Sequence, residues 1–437
     1  MSGRLPPMLP GHWLLGHLPE RRRDALGLFM RGAALDSPVV RYRLGTFTTY
    51  LLNEPALIKQ VMQDKLDQYG KGPIVAKMEP LIGLGLITIQ GAAWPRQRKL
   101  VQPVFHHQRL ERLHALMDEL ISARLDTWRA RGGERFDLVH EMVQLTMDII
   151  CASLFGRGAL PRLAELSGAA TGFVDEVSAE ILKVFTPLGL LLNRRPRAGP
   201  AGRALRALIA SLIEQRRAGE ADGDDMLGAL MASKDDAGQG LSPEALLDEV
   251  MTLFVAGHET TAVALSWAFW LLSVHPHAQE AIRGDPPAPA GREATSWARM
   301  VAAEALRLYP PVWSIPRRAL ADDEMAGFDV PKGTMVMVAP YTMQRHPRFW
   351  ERPEAFEPER FAPGKSHDRF VYFPFGVGPR RCAGMGFAQV EMEFILDRVC
   401  RAFSLAREPQ AQVSPLPLLT LKPDGPMWMR AHPLGRS

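Results

Sequence analysis

The chain has 437 residues, of which 46% are hydrophobic and 23% are charged, and its formal net charge is +4. This length and apolar content predict a globular protein with a large buried core, and the small net charge argues against a dedicated nucleic-acid binder. Its three cysteines, Cys151, Cys382 and Cys400, are too few and too scattered for a disulfide framework or a tetrahedral zinc site. Cys151 and Cys400 lie in apolar helical stretches, where we expect buried structural thiols.

The first 23 residues, MSGRLPPMLPGHWLLGHLPERRR, lack the long apolar segment of a signal peptide. Residues 39–52 alternate between apolar and polar and break at Gly45, which predicts a β-hairpin. From about 54 to 270, apolar residues recur at i, i+3 and i+4, a pattern typical of helices. We therefore expect a mostly helical body without an N-terminal membrane anchor. The few, scattered cysteines favour a reducing compartment, so we expect the protein in the cytoplasm.

Residues 249–274 form an apolar stretch that is long enough to cross a membrane. The centre of this stretch carries the sequence GHETT at 257–261, and ionisable groups are costly in lipid. A long helix buried in the protein core is the better interpretation, so we predict no membrane span.

The second half of the chain adds more strand character. Residues 284–297 have the composition of a loop, a helical period resumes at 296–309, and residues 324–340 are typical of strands. The expected fold is mainly α with a smaller β-rich lobe built from both ends of the chain. Within a single domain at 1–437, we assign about 35–55, 310–345 and the C-terminus to the β-rich lobe, and 56–308 and 382–402 to the helical lobe.

The sequence FPFGVGPRRCAGMGFAQVEMEF at 373–394 places Cys382 between a Gly- and Arg-rich turn and a helix. At a helix N-terminus, unpaired backbone N–H groups and the helix dipole favour a thiolate. Gly376 and Gly384 allow the backbone to approach a flat ligand closely, and Arg380 can bind a carboxylate. This combination suits an axial thiolate ligand of haem iron.

The pattern FxxGxRxC at 375–382 resembles the haem-binding signature of the cytochrome P-450 family, the haem-thiolate monooxygenases. Further segments resemble motifs of that family and occur in its order: WPRQR (94–98), AGHETT (256–261), EALR (304–307) and FEPERF (356–361). The resemblance covers nearly the whole chain. It implies the P-450 fold, with haem b between the long central helix and the helix that follows the cysteine.

The resemblance also implies a role for each motif. Cys382 is expected to be the axial ligand of the iron, and Glu259 and Thr260 the catalytic pair that relays protons. The plainer interpretation is an ion pair for Glu259 and a hydrogen bond to the preceding helical turn for Thr260. His258 projects about 100° away on the helix and is assigned no catalytic role.

Two further sets of residues follow from the resemblance. An ion-pair cluster is expected to pin the loop that leads to the cysteine, and its members are Glu304, Arg307 and Arg360. The residues expected to bind the haem are Trp94, Arg98, Ala256, Gly257, Arg317, Phe375, Gly376, Arg380 and Gly384, with Arg318 as the alternative to Arg317.

The segments that contact substrate in this family are apolar here, which implies a hydrophobic substrate such as a fatty acid, terpenoid or polyketide. The residues predicted to line the pocket are Ile74, Val75, Met78, Val312, Trp313 and Leu418. Because the chain has no Gly-rich dinucleotide motif or flavin module, we expect electrons from a ferredoxin or flavodoxin with its reductase, with NAD(P)H acting only indirectly. The predicted docking patch consists of Arg96, Lys99, Arg369 and Arg381. The connection at 284–300 is shorter than is usual in the family, on the side expected to face the partner.

The leading hypothesis is an oxygen-dependent monooxygenase that hydroxylates or epoxidises its substrate. A second hypothesis is a haem-thiolate enzyme that uses peroxide or isomerises a hydroperoxide, although such enzymes commonly lack the acid–threonine pair present at Glu259 and Thr260. A third is a haem electron carrier or gas sensor. A carrier typically needs a second axial side chain, whereas the small Ala256 and Gly257 leave that position open.

Overall fold

The computed structural model describes residues 4–45, 47–184, 196–219, 225–286 and 296–435. Its α-helices are α1 (Leu18–Arg23), α2 (Ala25–Ala33), α3 (Pro55–Lys59), α4 (Pro73–Ile82), α5 (Ala93–Val101), α6 (His107–Ala130), α7 (Leu138–Phe155), α8 (Leu163–Val184), α9 (Pro200–Arg217), α10 (Met226–Ala232), α11 (Pro243–Leu272), α12 (Pro276–Gly284), α13 (Trp297–Leu308), α14 (Pro340–Met343) and α15 (Met385–Ala402). Its strands are β1 (Val39–Leu44), β2 (Phe47–Leu52), β3 (Tyr69–Lys71), β4 (Phe136–Asp137), β5 (Ile315–Ala319), β6 (Asp323–Met325), β7 (Phe328–Val330), β8 (Met335–Val338), β9 (Phe403–Arg407), β10 (Pro415–Pro417), β11 (Leu421–Pro423) and β12 (Trp428–Pro433).

The largest sheet joins both parts of the chain that were predicted to be β-rich. Its strand order is β1-β2-β8-β5-β3. Strands β1 and β2 form the predicted hairpin, with Leu44 opposite Phe47, and Gly45 makes the turn with a φ of +64°. Strand β8 lies parallel to β2 and antiparallel to β5. The mainly α fold with a smaller β region is therefore confirmed.

Two short strands lie inside the stretch that was predicted to be helical. Strand β3 pairs with β5 at the edge of the large sheet, and β4 pairs with β12 in a second sheet of order β4-β12-β9. Each strand has only two or three residues, which is too short for an alternating pattern to identify. The position of β3 is important for the site because it brings Lys71 next to Arg317.

Helix α11 is the long helix predicted from the 249–274 stretch, and it crosses the core. Ser242 caps its N-terminus by accepting a hydrogen bond from the Ala245 N–H at 3.2 Å, and Pro243 occupies the first turn. From Thr261 to Leu272 every residue of the helix is buried. This burial against protein on all sides explains why the stretch is apolar throughout its second half.

Helix α7 packs along α11. In the described part of the chain it is also the one helix that is long and apolar enough to cross a membrane by length and composition, but most of it is buried within the protein. The two helices are close at Gly257, where a Cβ atom would lie 2.9 Å from Cδ1 of Ile150. The glycine therefore permits the close packing of the two core helices.

Candidate functional site

The loop before α15 holds Cys382 in a fixed backbone conformation. The Cys382 N–H donates to the carbonyl of Phe375 at 2.9 Å, which closes the turn that the glycines permit. Gly376 and Gly378 have φ values of +71° and +76°, a region that strongly favours glycine. A Cβ on Gly378 would also lie 2.2 Å from the carbonyl oxygen of Met62.

The Cys382 side chain is solvent-accessible, yet protein surrounds it closely enough for burial to raise the pKa of the thiol. Both observations hold for a side chain that faces an internal space rather than the outer surface. The Gly384 N–H and the charges of Arg98 and Arg381 act in the opposite direction and lower the pKa of Cys382. Helix α15 begins at Met385, so Cys382 lies just before the helix, and burial outweighs the groups that favour the thiolate.

Three buried or half-buried cations converge beside this loop. Lys71 and Arg317 are cross-strand neighbours in β3 and β5, so their side chains share one face of the sheet. Burial, together with the nearby charge of Arg380, lowers the pKa of Lys71 to about 7 and that of Arg317 to about 10. Arg318 points to the other face and is exposed, which favours Arg317 as the residue at the site.

Part of this cationic cluster has unused hydrogen-bonding capacity, although the Lys71 ammonium donates to the carbonyls of Leu86, Ile87 and Ile89. The Nε of Arg317 is buried without a hydrogen-bond partner, and Arg380 lies over the ring of Trp94 at 4.4 Å. Among the described residues no carboxylate forms an ion pair with Lys71, Arg317 or Arg380. Since buried charges are stable only when compensated, the cluster suits an anionic ligand with carboxylate groups.

Arg98 connects this cluster to the cysteine loop. It donates to the carbonyl of Arg381 at 3.0 Å, and the adjacent Cys382 opposes the lowering of its pKa by burial. Trp94, one turn earlier on α5, is buried. Helix α5 therefore presents its predicted site residues toward the loop that carries Cys382.

On α11 the predicted catalytic pair adopts two different arrangements. The Thr260 hydroxyl donates to the carbonyl of Ala256 at 2.8 Å, one turn earlier in the helix. The Glu259 carboxylate instead accepts a hydrogen bond from the hydroxyl of Thr420 at 3.2 Å. Burial raises the pKa of Glu259, and Lys422 and Thr420 oppose this effect. A carboxyl with a raised pKa in a buried setting can carry and release a proton.

His258 lies on another face of α11, as the helical geometry predicts. It is buried, its Nδ1 is 3.2 Å from the carbonyl of Phe254, and burial lowers its pKa to about 4. The imidazole is therefore neutral at pH 7 and has a packing role. A glycine at position 257 also has a structural explanation, because a side chain there would collide with Ile150 of α7. The predicted contact of Gly257 with a cofactor stays a prediction.

Two members of the predicted ion-pair cluster, Glu304 and Arg307, are fully buried, and Arg360 is half-buried. Arg307 makes a two-pronged contact with Glu304, with N–O distances of 2.7 and 2.8 Å, and both side chains are 0% exposed. Arg360 reaches the same Glu304 carboxylate at 3.4 Å and pairs with Glu357 at 2.5 Å. The remaining N–H groups of Arg307 donate to three backbone carbonyls between 344 and 355. A buried guanidinium is stable only when its N–H groups have such hydrogen-bond partners.

Gln344 connects this cluster to the cysteine loop. Its side-chain N–H₂ donates to the carbonyls of Leu306 and Arg307, each at 3.0 Å. Its side-chain oxygen accepts from the N–H of Phe373 at 3.0 Å, at the start of the loop. The cluster thus orients the cysteine loop through one amide side chain, which sequence reasoning missed.

The sequence matches known proteins over almost its full length. The family model for cytochrome P450 matches residues 6–429. The chain belongs to the cytochrome P450 family. It is 33% identical to cyclooctatin synthase of Streptomyces melanosporofaciens, over 96% of this chain and 94% of the relative. It is 29% identical to pentalenene oxygenase of Streptomyces avermitilis, over 96% and 95% respectively. It is 31% identical to cyclooctat-9-en-7-ol 5-monooxygenase of Streptomyces melanosporofaciens, over 93% and 90% respectively.

The protein is therefore a P450 monooxygenase with a haem-thiolate iron cofactor. The residues of this P450 fit a haem. Cys382 faces an internal space, and the cations beside it leave the buried Nε of Arg317 for a carboxylate. The two propionates of a haem would supply the missing negative charge.

The predicted substrate residues have different surroundings. Met78 is buried and Val75 and Leu418 are half-buried, whereas Val312 is 40% exposed. The side chain of Ile74 lies outside the described residues.

Trp313 is buried beside Phe29, with the ring centroids 5.7 Å apart, and donates its indole N–H to the Leu418 carbonyl at 3.0 Å. Its ring and its N–H are therefore engaged in packing. Its place in a pocket stays a prediction, as do those of the other residues of that set.

The sequence analysis did not identify Lys71, Gln344 and Thr420 at the site, nor Glu391, whose carboxyl interacts with Thr261 on α11. Lys71 was missed because it lies on β3, a strand too short to recognise from its sequence pattern. Glu391 belongs to α15 and is fully buried, and burial raises its pKa well above the ordinary value. An acidic residue among the apolar positions of the α15 helix was the available signal for it.

Proposed function

We propose that this P450 inserts one oxygen atom into a hydrophobic terpenoid, by hydroxylation or epoxidation. The observation that carries the proposal is the position of Cys382, in a glycine-shaped loop that faces inward beside buried cations. A haem with a thiolate ligand supplies the activation of O₂. The remaining steps depend on side chains of this chain.

In this proposal Cys382 would bind the iron of a haem b. Arg317 and Arg380 would hold the propionates beside the charge of Lys71, and Arg98 and Trp94 on α5 would support them. Phe375, Gly376 and Gly384 would shape the loop around the sulfur, and the small Ala256 and Gly257 would leave space for the haem and O₂ at α11.

Burial raises the pKa of the Glu259 carboxyl, which suits it to carrying protons, and Thr260 presents a hydroxyl in the neighbouring position of α11. The hydroxyl can leave its bond to the Ala256 carbonyl to hold a proton donor near the reacting oxygen. The apolar surroundings exclude bulk water and so limit the wasteful release of peroxide.

The substrate class is supported by the names of the relatives. Pentalenene oxygenase and cyclooctat-9-en-7-ol 5-monooxygenase are named for an alkene and for an unsaturated alcohol. We propose a substrate of that chemical type, a polycyclic terpenoid hydrocarbon or alcohol, rather than a fatty acid.

A binding titration followed by turnover tests this proposal. Terpenoid hydrocarbons and alcohols should shift the absorption of the ferric protein at micromolar concentration, and reduced electron donors with O₂ should then give a product heavier by one oxygen. Fatty acids of equal carbon number are the comparison set. If only fatty acids shift the spectrum and are oxygenated, the proposed substrate class is wrong.

We further propose that a ferredoxin or flavodoxin, reduced by an NAD(P)H-dependent reductase, supplies the electrons to a single-domain, cytoplasmic enzyme. The ion pairs of the structure refine the predicted docking patch. Arg96 pairs with Asp235 at 2.6 Å and Lys99 with Asp236 at 2.9 Å, so their charges are partly neutralised. Arg369 and Arg381 form no ion pair among the described residues, and they are the better candidates for binding an acidic partner.

Charge reversal separates the two halves of the patch. Arg381→Glu should lower the rate of the first electron transfer and its dependence on salt, while Lys99→Glu should have a smaller effect because Asp236 already opposes its charge. Stopped-flow reduction at several salt concentrations measures both quantities. Equal behaviour of wild type and Arg381→Glu would place the partner on another surface.

A further inference from the structure

The carboxyl of Glu259 is bound to the C-terminal hairpin rather than to its neighbour on the helix. The Thr420 hydroxyl donates to Oε1 of Glu259 at 3.2 Å, across 161 residues of sequence. The adjacent Thr260 hydroxyl is engaged with the Ala256 carbonyl at 2.8 Å. Thr420 is only 4% exposed, so the hydrogen bond is protected from competing water.

The turn that carries Thr420 is firmly attached to the core. It connects β10 and β11, and the indole of Trp267 on α11 donates to the Leu421 carbonyl at 2.8 Å. The Trp313 indole donates to the Leu418 carbonyl at 3.0 Å, and the Leu421 N–H donates to the Pro311 carbonyl at 2.9 Å. Thr420 is therefore held at a defined position opposite Glu259 on α11.

The charged groups that act on the carboxyl of Glu259 come from two elements besides α11. Lys422 on β11 favours the ionised carboxylate, and Asp175 on α8 favours the protonated form. The Thr420 hydrogen bond also favours the carboxylate, and burial is the dominant effect against it. Two of the groups that stabilise the charged form thus belong to the same hairpin.

We infer that Thr420 is a positioning residue, which holds the Glu259 carboxyl at the hairpin. The charge of Lys422, two residues later on β11, acts on the same carboxyl, and the two residues together control its delivery of protons. The inference rests on the proposed role of Glu259 as a proton donor. The same turn carries Leu418, a predicted pocket residue, so the turn that positions Glu259 also belongs to the predicted substrate pocket.

The test follows the protonation of Glu259 directly in the ferric, haem-loaded protein. The infrared band of a protonated carboxyl is recorded over a pH series and assigned to Glu259 by its loss in Glu259→Gln. Thr420→Val removes the hydroxyl at nearly constant volume, and Lys422→Met removes the charge. Each should move the titration of this band to higher pH, because each removes a group that lowers the pKa of Glu259.

Conservative variants and remote substitutions provide the controls. Thr420→Ser keeps the hydroxyl and should keep the wild-type titration, as should Thr127→Val and Lys365→Met at exposed positions elsewhere. If neither Thr420→Val nor Lys422→Met moves the band, the inference is overturned. Because the two variants act on different groups, misfolding of one leaves the other as a test.

A second readout concerns turnover. Thr420→Val should release about threefold more hydrogen peroxide per electron pair, the effect of losing one hydrogen bond, and Thr420→Ser should restore the wild-type ratio. The infrared titration needs no substrate and no electron partner. An unmoved infrared band would therefore contradict the role of the hairpin alone. A missing haem-thiolate spectrum would contradict the proposed function.

Discussion

Glu249 gives the stability of this P450 a pH dependence that one substitution should remove. This residue lies in the first part of α11 and is 0% exposed. Its Oε2 accepts hydrogen bonds from the Leu86 N–H at 3.1 Å and from the Gln97 amide, while Oε1 has no partner. Burial raises the pKa of Glu249 from 4.5 to about 7.

The sign follows from proton linkage. Between pH 4.5 and 7 the folded protein holds a proton on Glu249 that the unfolded chain has released, so the free energy of unfolding falls as the pH rises through this range. A pKa difference of about 2.5 corresponds to about 3 kcal/mol at 1.36 kcal/mol per pH unit. Lys71, whose pKa is lowered to about 7, stays largely protonated in both states below pH 7 and adds little to this slope.

Glu249→Gln keeps an oxygen for the Leu86 N–H but cannot ionise. We expect the variant to match wild type near pH 5 and to exceed its free energy of unfolding by about 2 to 3 kcal/mol near pH 7. Urea unfolding of the haem-loaded protein at both pH values measures this difference. Glu244→Gln, at an exposed position one turn earlier on α11, is the matched control and should follow wild type. Parallel pH curves for wild type and Glu249→Gln would show that the pKa of Glu249 does not differ between the folded and unfolded states.

Three other substitutions test separate parts of the structure. Glu304→Ala leaves a buried guanidinium without its carboxylate and should lower the free energy of unfolding by about 3–5 kcal/mol in urea titrations; a loss under 1 kcal/mol would show that the pair is dispensable. Gly378→Ala forces a side chain against the Met62 carbonyl at a φ of +76° and should reduce the haem content. The control Gly364→Ala has a φ of +84° but open space around it. It should cost only about 1 kcal/mol of backbone strain and keep the haem. Thr260→Ala should keep substrate binding but divert electrons to hydrogen peroxide, and unchanged coupling of electrons to product would contradict the proton relay.

Motifs with short fixed spacings allowed much of the site to be predicted. The cysteine loop, the AGHETT segment and the Glu304–Arg307 pair each depend on residues a few positions apart, where helix and turn geometry determine the neighbours. The burial of that pair and its link to the cysteine loop through Gln344 were not predictable, because they join segments about 40 residues apart.

Contacts between distant segments account for the rest. Thr420 reaches Glu259 only because the C-terminal hairpin folds back onto α11, and Lys71 reaches Arg317 only through β3, a three-residue strand. The ion pairs that partly neutralise Arg96 and Lys99 in the predicted docking patch are also long-range contacts. Asp235 and Asp236 approach α5 from a loop more than 130 residues away. Local patterns carry no information on such pairings.

The most direct test of Cys382 as the haem ligand is the absorption spectrum of the reduced, CO-bound protein for wild type, Cys382→Ala and Cys151→Ala. Cys151 is fully buried and burial raises its pKa to about 12, so its removal leaves the haem ligand in place. The haem-thiolate band should appear in wild type and Cys151→Ala and should be lost in Cys382→Ala. A wild-type protein without that band, or a Cys382→Ala variant that retains it, would contradict the assignment of Cys382 as the ligand.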